Sequence, residues 1–128
     1  MNRVVIGVGS NIEPEINIEK ARQQIAQDHH LMAASRNIKT KPIGYADQPD
    51  FLNCAFLVET TFNDLEFEAY LHSVEEKLKR VRTGNKFGPR TIDLDIAVWN
   101  NDIVDEDVYK RSFLKESVRE LCPDLKIE

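Results

Sequence analysis

Apolar residues recur along the chain with two different periods, and these periods predict four strands and three helices. The predicted strands, rich in β-branched and aromatic residues, are 3–9, 31–40, 51–61 and 91–99. The predicted helices, with apolar residues three or four apart, run from Ile16 to about Asp28, from a cap at Asn63 to a stop near Gly84, and over 112–121. Residues 41–50 contain two prolines and a glycine and are predicted to form a loop.

The order of these elements is strand, helix, strand, strand, helix, strand, followed by a short helix. This order predicts an α+β, ferredoxin-like βαββαβ sandwich, in which an antiparallel sheet has its two long helices packed on one face. The opposite face would be left for loops, solvent or a ligand. Because no repeat, low-complexity tract or linker interrupts the chain, residues 1–128 are predicted to form a single domain.

Alternation along the last strand gives its polar residues a predicted direction. Successive strand residues point to opposite faces of a sheet. The set predicted to lie under the helices is Ile92, Leu94, Ile96 and Val98, and the set on the open face is Asp93, Asp95 and Ala97. On the strand at 51–61, the more uniformly apolar set, assigned to the core, is Leu52, Cys54, Phe56 and Val58. Phe51 and Asn53 are therefore predicted to face the same side as the aspartates.

Two carboxylates on one face of a strand can bind a hard cation. Residues i and i+2 lie roughly 6.5–7 Å apart at Cα, and oxygen ligands suit magnesium. Six basic residues and no acid lie between Lys77 and Arg90, next to Phe87 and a Gly-Pro-Arg corner. One interpretation is that these charges pair with each other on a solvated face. Their occurrence together favours a site for metal and nucleotide phosphate.

Composition excludes several classes of function. The fractions of apolar (41%) and charged (30%) residues are typical of a globular protein, and no apolar run approaches the roughly 20 residues that cross a bilayer. No membrane partner and no secretory signal are expected. The net charge of −5 argues against general nucleic-acid binding. Cys54 and Cys122 lack a metal-ligand spacing and are predicted to be free thiols, which indicates the cytoplasm.

Three stretches carry a resemblance to a known family: "GVGSNI" (7–12), "TKPIGYADQPDFLN" (40–53) and "RVRTGNKFGPRTIDLDI" (80–96). With these motifs the chain resembles the 6-hydroxymethyl-7,8-dihydropterin pyrophosphokinases, which transfer pyrophosphate from ATP to a pterin alcohol in folate biosynthesis. The resemblance implies ATP as co-substrate, two magnesium ions as cofactors, a hydroxymethyl-dihydropterin as the second substrate, and a monomer.

The resemblance also implies roles for individual residues. The implied ligands of the two magnesium ions are Asp93 and Asp95. The residues implied to hold phosphate oxygens, and so to act in catalysis with the aspartates, are Arg82, Lys86 and Arg90. Those implied to lie at the nucleotide are His72, Glu75, Phe87 and Arg111. Those implied to bind the pterin are Thr40, Pro42, Ile43 and Asn53, with Phe51 and Phe113 stacking on its two faces.

The chain departs from the family pattern in ways that leave alternatives open. Relatives usually carry a histidine, in a "VPH" segment, between the fourth strand and the last helix; here "DIVDEDVYKRSF" has none, and Tyr109 and Arg111 stand there instead. Lys86 and Phe87 replace Arg and Trp, and Phe51 replaces Tyr. The alternative function is therefore a catalytically impaired module that binds pterin or nucleotide. A third hypothesis is an RNA-binding domain that stacks bases on an open sheet, against which the acidic pair argues.

Overall fold

The computed structural model describes residues 1–44, 47–79 and 91–127. Within these ranges the elements are β1 (Asn2–Ser10), α1 (Pro14–Asp28), β2 (His30–Ala34), β3 (Ile38–Thr40), β4 (Phe51–Thr60), α2 (Asp64–Lys77), β5 (Asp93–Trp99), β6 (Asp102–Ile103), α3 (Asp107–Lys110) and α4 (Ser112–Leu121). The strands form one sheet in the order β2-β4-β1-β5-β6, with β3 also paired to β4, and every pairing is antiparallel. This architecture confirms the predicted α+β class.

The main core lies between the sheet and the two long helices. β1 is the central strand, and its residues Val4, Ile6 and Val8 are buried against α1 and α2. The side of β4 that carries Cys54 and Phe56 also faces this core, as predicted. Alternation therefore turns the intervening residues of both strands to the other face of the sheet.

Helix α2 begins where the sequence predicts and ends earlier. The Asn63 side chain accepts a hydrogen bond from the Glu66 amide at 2.8 Å, and the Asn63 amide donates to the Glu66 carboxylate at 2.9 Å, which forms a capping box. The helix ends at Lys77, and Lys79 has a left-handed backbone with φ of 63°. The prediction that the helix continues toward Gly84 is therefore wrong.

The single strand predicted at 31–40 is two strands. The Ser35 hydroxyl accepts a hydrogen bond from the Ala55 amide at 2.7 Å, a position that a backbone carbonyl takes in a regular ladder. The next amide, that of Arg36, donates to the Glu120 carboxylate of α4 at 3.0 Å instead of to a strand. This interruption separates β2 from β3, although both pair with β4.

A β-bulge in β5 changes which face its last residues occupy. Val5 of β1 pairs with Val98, whereas the next residue of β1, Ile6, pairs with Ile96, so Ala97 is the extra residue. Beyond the bulge the alternation is inverted, and Val98 is buried on the face opposite the long helices. The prediction that Val98 lies under the helices is therefore wrong, whereas Ala97 lies on the predicted face.

The second face of the sheet is only partly open. Leu114 and Val118 of α4 pack there against Val5, Ala55 and Leu57 and form a second, smaller core. The expectation that loops, solvent or a ligand would occupy this face holds only toward the end of β1 that carries Gly7 and Gly9. No helix in the described ranges is long and apolar enough to span a membrane.

Candidate active site

The floor of the candidate site is formed by two glycines of the central strand. The register places Gly9 between Asn53 of β4 and Asp93 of β5, and Gly7 between Ala55 and Asp95. Because neither glycine has a side chain, a trough runs over β1 with Asn53 on one side and the aspartates on the other. A Cβ at Gly9 would lie 3.2 Å from Asn53 Oδ1.

A pocket of about 210 Å³ lies over this trough and contains most of the predicted site. The predicted residues that line it are Thr40, Ile43, Phe51, Asn53, Asp93, Asp95, Arg111 and Phe113. The further residues that line it are Gly7, Val8, Gly9, Lys41, Cys54, Asp105, Asp107 and Leu114. The pocket therefore brings the acidic pair together with two aromatic rings and a side-chain amide, whereas Pro42 is not part of its lining.

The acidic pair faces the pocket and not the main core. Asp93 is half-buried and Asp95 is exposed, while Leu94 between them is buried under α2. The part of the chain that the structure describes contains no group of three or more side chains arranged to bind a metal ion. Magnesium commonly takes one or two carboxylates and completes its coordination with substrate phosphates and water. The pair therefore fits magnesium that arrives with a phosphate chain.

The Asn53 amide lies between β3 and the glycine floor. Its nitrogen Nδ2 donates to Thr40 Oγ1 at 2.6 Å and to the Ile38 carbonyl at 3.3 Å. The Phe51 and Phe113 rings line the same pocket. Aromatic rings beside an amide suit a flat heterocycle that carries hydrogen-bonding groups on its edge.

Two carboxylates without a predicted role come from the turn after β6 and from the first residue of α3. Asp105 Oδ1 accepts a hydrogen bond from the Asp107 amide at 2.9 Å, and both residues line the pocket. Burial raises the pKa of Asp105, and the negative charges of Asp107 and Asp93 raise it further, whereas the Asp107 amide acts in the opposite direction. The available signal was the D-x-D spacing within the segment that has no histidine.

Two polar residues near the end of the family motif "GVGSNI", Ser10 and Asn11, form hydrogen bonds to other segments of the chain. The buried Ser10 hydroxyl donates to the Thr91 carbonyl at 2.6 Å, just before β5. The Asn11 amide nitrogen donates to Gln48 Oε1 at 2.8 Å and to the Pro49 carbonyl at 3.1 Å. These bonds hold the end of the 41–50 loop and the start of the acidic strand next to β1.

The remaining predicted residues are not part of the described pocket. Glu75 of α2 is 1% exposed, and its Oε1 lies 3.2 Å from His72 Nδ1. Neither residue lines the pocket, so their nucleotide role stays a prediction. The predicted residues outside the described ranges are Arg82, Lys86, Phe87 and Arg90.

The fold and this pocket define a class of small α+β domains with an acidic, aromatic-lined site on the free part of the sheet. Comparison with known proteins identifies the family. Residues 5–123 match the model of the 7,8-dihydro-6-hydroxymethylpterin-pyrophosphokinase family. The chain is 33% identical over 131 residues to the 2-amino-4-hydroxy-6-hydroxymethyldihydropteridine pyrophosphokinase of Haemophilus influenzae. The aligned region covers 94% of this chain and 81% of that protein.

Two further relatives agree with this match. The proteins of the same name from Bacillus subtilis and Pseudomonas aeruginosa are 32% and 31% identical, over 100% and 99% of this chain and 83% and 85% of those proteins. The chain therefore belongs to the 7,8-dihydro-6-hydroxymethylpterin-pyrophosphokinase family. The family resemblance and the enzyme class that it implied, a pyrophosphokinase, are confirmed.

Proposed function

We propose that this chain transfers pyrophosphate from ATP to 6-hydroxymethyl-7,8-dihydropterin, with two magnesium ions held by Asp93 and Asp95. The observation that carries the proposal is that this acidic pair lines the same pocket as Asn53, Phe51 and Phe113. A triphosphate needs charge neutralisation, and a pterin needs stacking surfaces and amide-like partners. The lining of the pocket contains side chains suited to both needs.

The pterin half of the site would hold the ring over the glycine floor. Phe51 and Phe113 would stack on it, and Asn53 would hydrogen-bond its edge. Thr40 and Ile43 would line the side of the pocket, and Pro42, which lies outside the lining, would hold the 40–43 segment in place. Because the ring is flat and rigid, these contacts would fix the direction in which its hydroxymethyl group points. The hydroxyl would thereby be directed toward the aspartates.

The nucleotide half would lie beside the acidic pair. Magnesium bound there would neutralise phosphate charge as it shifts between oxygens. The cationic residues proposed to hold the phosphates are Arg82, Lys86 and Arg90. The residues proposed to contact the rest of the nucleotide are His72, Glu75, Phe87 and Arg111. Arg111 lines the pocket directly, between α3 and α4.

The proposed reaction needs no covalent enzyme intermediate. The pterin hydroxyl oxygen would form a bond to the β-phosphorus of ATP as the bond from that phosphorus to the α,β-bridging oxygen breaks. AMP would leave with the bridging oxygen, and the hydroxyl proton would pass to solvent. Positioning and electrostatic stabilisation supply most of the catalysis in reactions of this type.

Product analysis tests the proposal. The chain, incubated with ATP, magnesium chloride and 6-hydroxymethyl-7,8-dihydropterin, should release AMP and pterin pyrophosphate in equal amounts, and omission of the pterin should abolish AMP release. The alternative of a binding module is motivated by the absence of a histidine from residues 100–111. Calorimetric binding of the pterin without AMP release at high protein concentration would establish that alternative and overturn the transferase.

The proposal also includes the domain organisation, the oligomeric state and the cellular location of the chain. We expect one domain over residues 1–128 that works as a monomer in the cytoplasm. Light scattering coupled to size-exclusion chromatography, carried out with and without substrates, checks the monomer. A mass of twice 14.7 kDa under assay conditions would contradict it.

A further inference from the structure

Inside the proposed pterin site, the Asn53 amide has one defined orientation. Nδ2 points toward β3, where it donates to Thr40 Oγ1 at 2.6 Å and to the Ile38 carbonyl at 3.3 Å. Oδ1 points the other way, over Gly9, where a Cβ would lie only 3.2 Å from it. The residue is 8% exposed, so its remaining accessible surface faces the pocket that it lines.

The reverse orientation of the amide is unfavourable. If the amide were flipped, Oδ1 would face the Ile38 carbonyl, which has no proton to donate, and a partly buried hydrogen bond would be lost. The network of partners, not the shape of the side chain, therefore assigns the two ends of the amide. Thr40 supplies the shorter of the two bonds, and it reaches Asn53 from the diagonal position across the β3–β4 pair.

We infer that Thr40 is a positioning residue that acts through Asn53: its hydroxyl holds the amide nitrogen so that only the carbonyl oxygen is presented to the ligand. This inference rests on the proposed function for the identity of the ligand. It also defines the chemistry of the edge that is recognised. That edge must donate a hydrogen bond, as the ring N–H and amino groups of a 2-amino-4-oxo heterocycle do, and an edge with only acceptors is rejected.

A pair of substitutions separates positioning from packing. Thr40→Val keeps the shape of the side chain and removes the acceptor, whereas Thr40→Ser keeps the hydroxyl and serves as the matched control. In the ligand-free protein, Thr40→Val should shift the side-chain ¹H–¹⁵N resonances of Asn53, and Thr40→Ser should leave them close to their original positions. Unmoved Asn53 resonances in a folded Thr40→Val variant would overturn the inference without any ligand.

Binding measurements then test the route through Asn53. Thr40→Val should weaken calorimetric binding of 6-hydroxymethyl-7,8-dihydropterin roughly tenfold, as expected for one lost hydrogen bond, and leave the KM for ATP unchanged. In an Asn53→Ala background, the same substitution should have no further effect on pterin binding. Equal weakening in both backgrounds would mean that Thr40 contacts the pterin directly, and would overturn the positioning role.

The outcomes distinguish this inference from the proposed function. If the parent chain binds no pterin at all, the proposed function fails, and the ligand-free spectra still decide whether Thr40 orients Asn53. If the parent chain binds pterin and the two substitutions act independently, only the positioning role fails. Thermal melting of each variant, measured in the same buffer, identifies any that do not fold.

Discussion

The buried carboxylate of Glu75 accepts a hydrogen bond from the backbone amide of Leu94 at 2.9 Å. Leu94 is the residue between Asp93 and Asp95, so this bond ties helix α2 to the strand that carries the acidic pair. The amide lies in the first half of β5, whereas β6 pairs only with Val98 and Trp99 at the other end of that strand. Glu75 therefore satisfies a strand edge that would otherwise be buried without a partner.

Replacing Glu75 should destabilise the fold. Glu75→Ala removes a buried charged acceptor, and hydrogen bonds of this kind contribute about 2 kcal/mol to the free energy of unfolding. Urea denaturation measures the loss. Glu76→Ala, at the exposed neighbouring position, is the matched control and should change the free energy of unfolding by less than about 0.5 kcal/mol. Equal effects of the two substitutions would show that the Leu94 bond contributes nothing measurable.

Replacing Asp95 should affect turnover and not stability. Its side chain is exposed, so Asp95→Ala removes little packing, while half of the proposed cation-binding pair is lost. We expect AMP release to fall at least about 100-fold, as when one electrostatic group of an active site is removed. Asp102→Ala is the control, because Asp102 is exposed on β6 and does not line the pocket. An Asp95→Ala enzyme that retains most of its turnover would refute the assignment of the metal ligands.

Sequence alternation correctly predicted the face of the sheet on which Asp93 and Asp95 lie, and it failed a few residues later on the same strand. The direction of Asp93 and Asp95 follows from local periodicity, because the neighbouring Leu94 belongs to the main core. The inversion at Val98 depends on a bulge opposite β1, which is a property of the pairing between distant segments. Periodicity within one strand does not show where an extra residue will be left unpaired, because a bulge belongs to the pairing of two strands.

The contrast between local patterns and contacts of distant segments also explains the other places where the structure differs from the sequence-based prediction. An amphipathic pattern predicts that 112–121 is a helix, but the face of the sheet that it covers depends on the path of the chain before it. The break between β2 and β3 depends on Ser35 reaching Ala55 and Arg36 reaching Glu120, contacts between residues distant in sequence. The glycine floor is visible in the sequence as Gly7 and Gly9, yet its partners become known only from the register of three strands.

The two glycines of the floor should respond differently to an added methyl group. At Gly9 the methyl would lie 3.2 Å from Asn53 Oδ1, in an amide already held by Thr40 and Ile38. Gly9→Ala should therefore displace the amide and weaken pterin binding roughly tenfold, as moderate overpacking does. At Gly7 the nearest atom is Leu114 Cδ1 at 3.3 Å, the flexible end of a side chain. Calorimetry should show a smaller loss of pterin affinity for Gly7→Ala than for Gly9→Ala. A larger loss for Gly7→Ala would contradict the proposed contact between the residue 9 side chain and Asn53.

A histidine far from the pocket should make stability depend on pH. The His29 ring packs edge-on against Phe62, Phe67 and Tyr70, and burial lowers its pKa below 6.5, although Asp28 acts in the opposite direction. At pH values near the lowered pKa and up to about 6.5, the folded state therefore binds fewer protons at His29 than the unfolded state does. The contribution of the neutral His29 ring to the stability of the fold is complete above pH 6.5, and it is lost as the pH falls through the lowered pKa.

Chemical denaturation at several pH values between about 5 and 8 checks this expectation, because these values lie on both sides of the ordinary histidine pKa of about 6.5. The parent chain should lose stability on acidification, and His29→Gln should lose less over the same interval because the glutamine does not titrate. His30→Gln is the matched control, since His30 is exposed and its removal leaves the aromatic cluster intact. A parallel pH dependence in the parent and His29→Gln would eliminate His29 as the source.

A buried hydroxyl on α4 should limit the stability of the helix that covers the second face. Ser117 is 2% exposed, and its Oγ has no hydrogen-bond partner among the residues that the structure describes. Ser117→Ala removes this unsatisfied group and should raise the free energy of unfolding by about 1 kcal/mol. Ser73→Ala is the control for helix propensity, because Ser73 lies exposed on α2 and its hydroxyl already donates to the Tyr70 carbonyl. If Ser117→Ala gains no more than Ser73→Ala in urea denaturation, the buried hydroxyl carries no penalty, and a bound water is the expected reason.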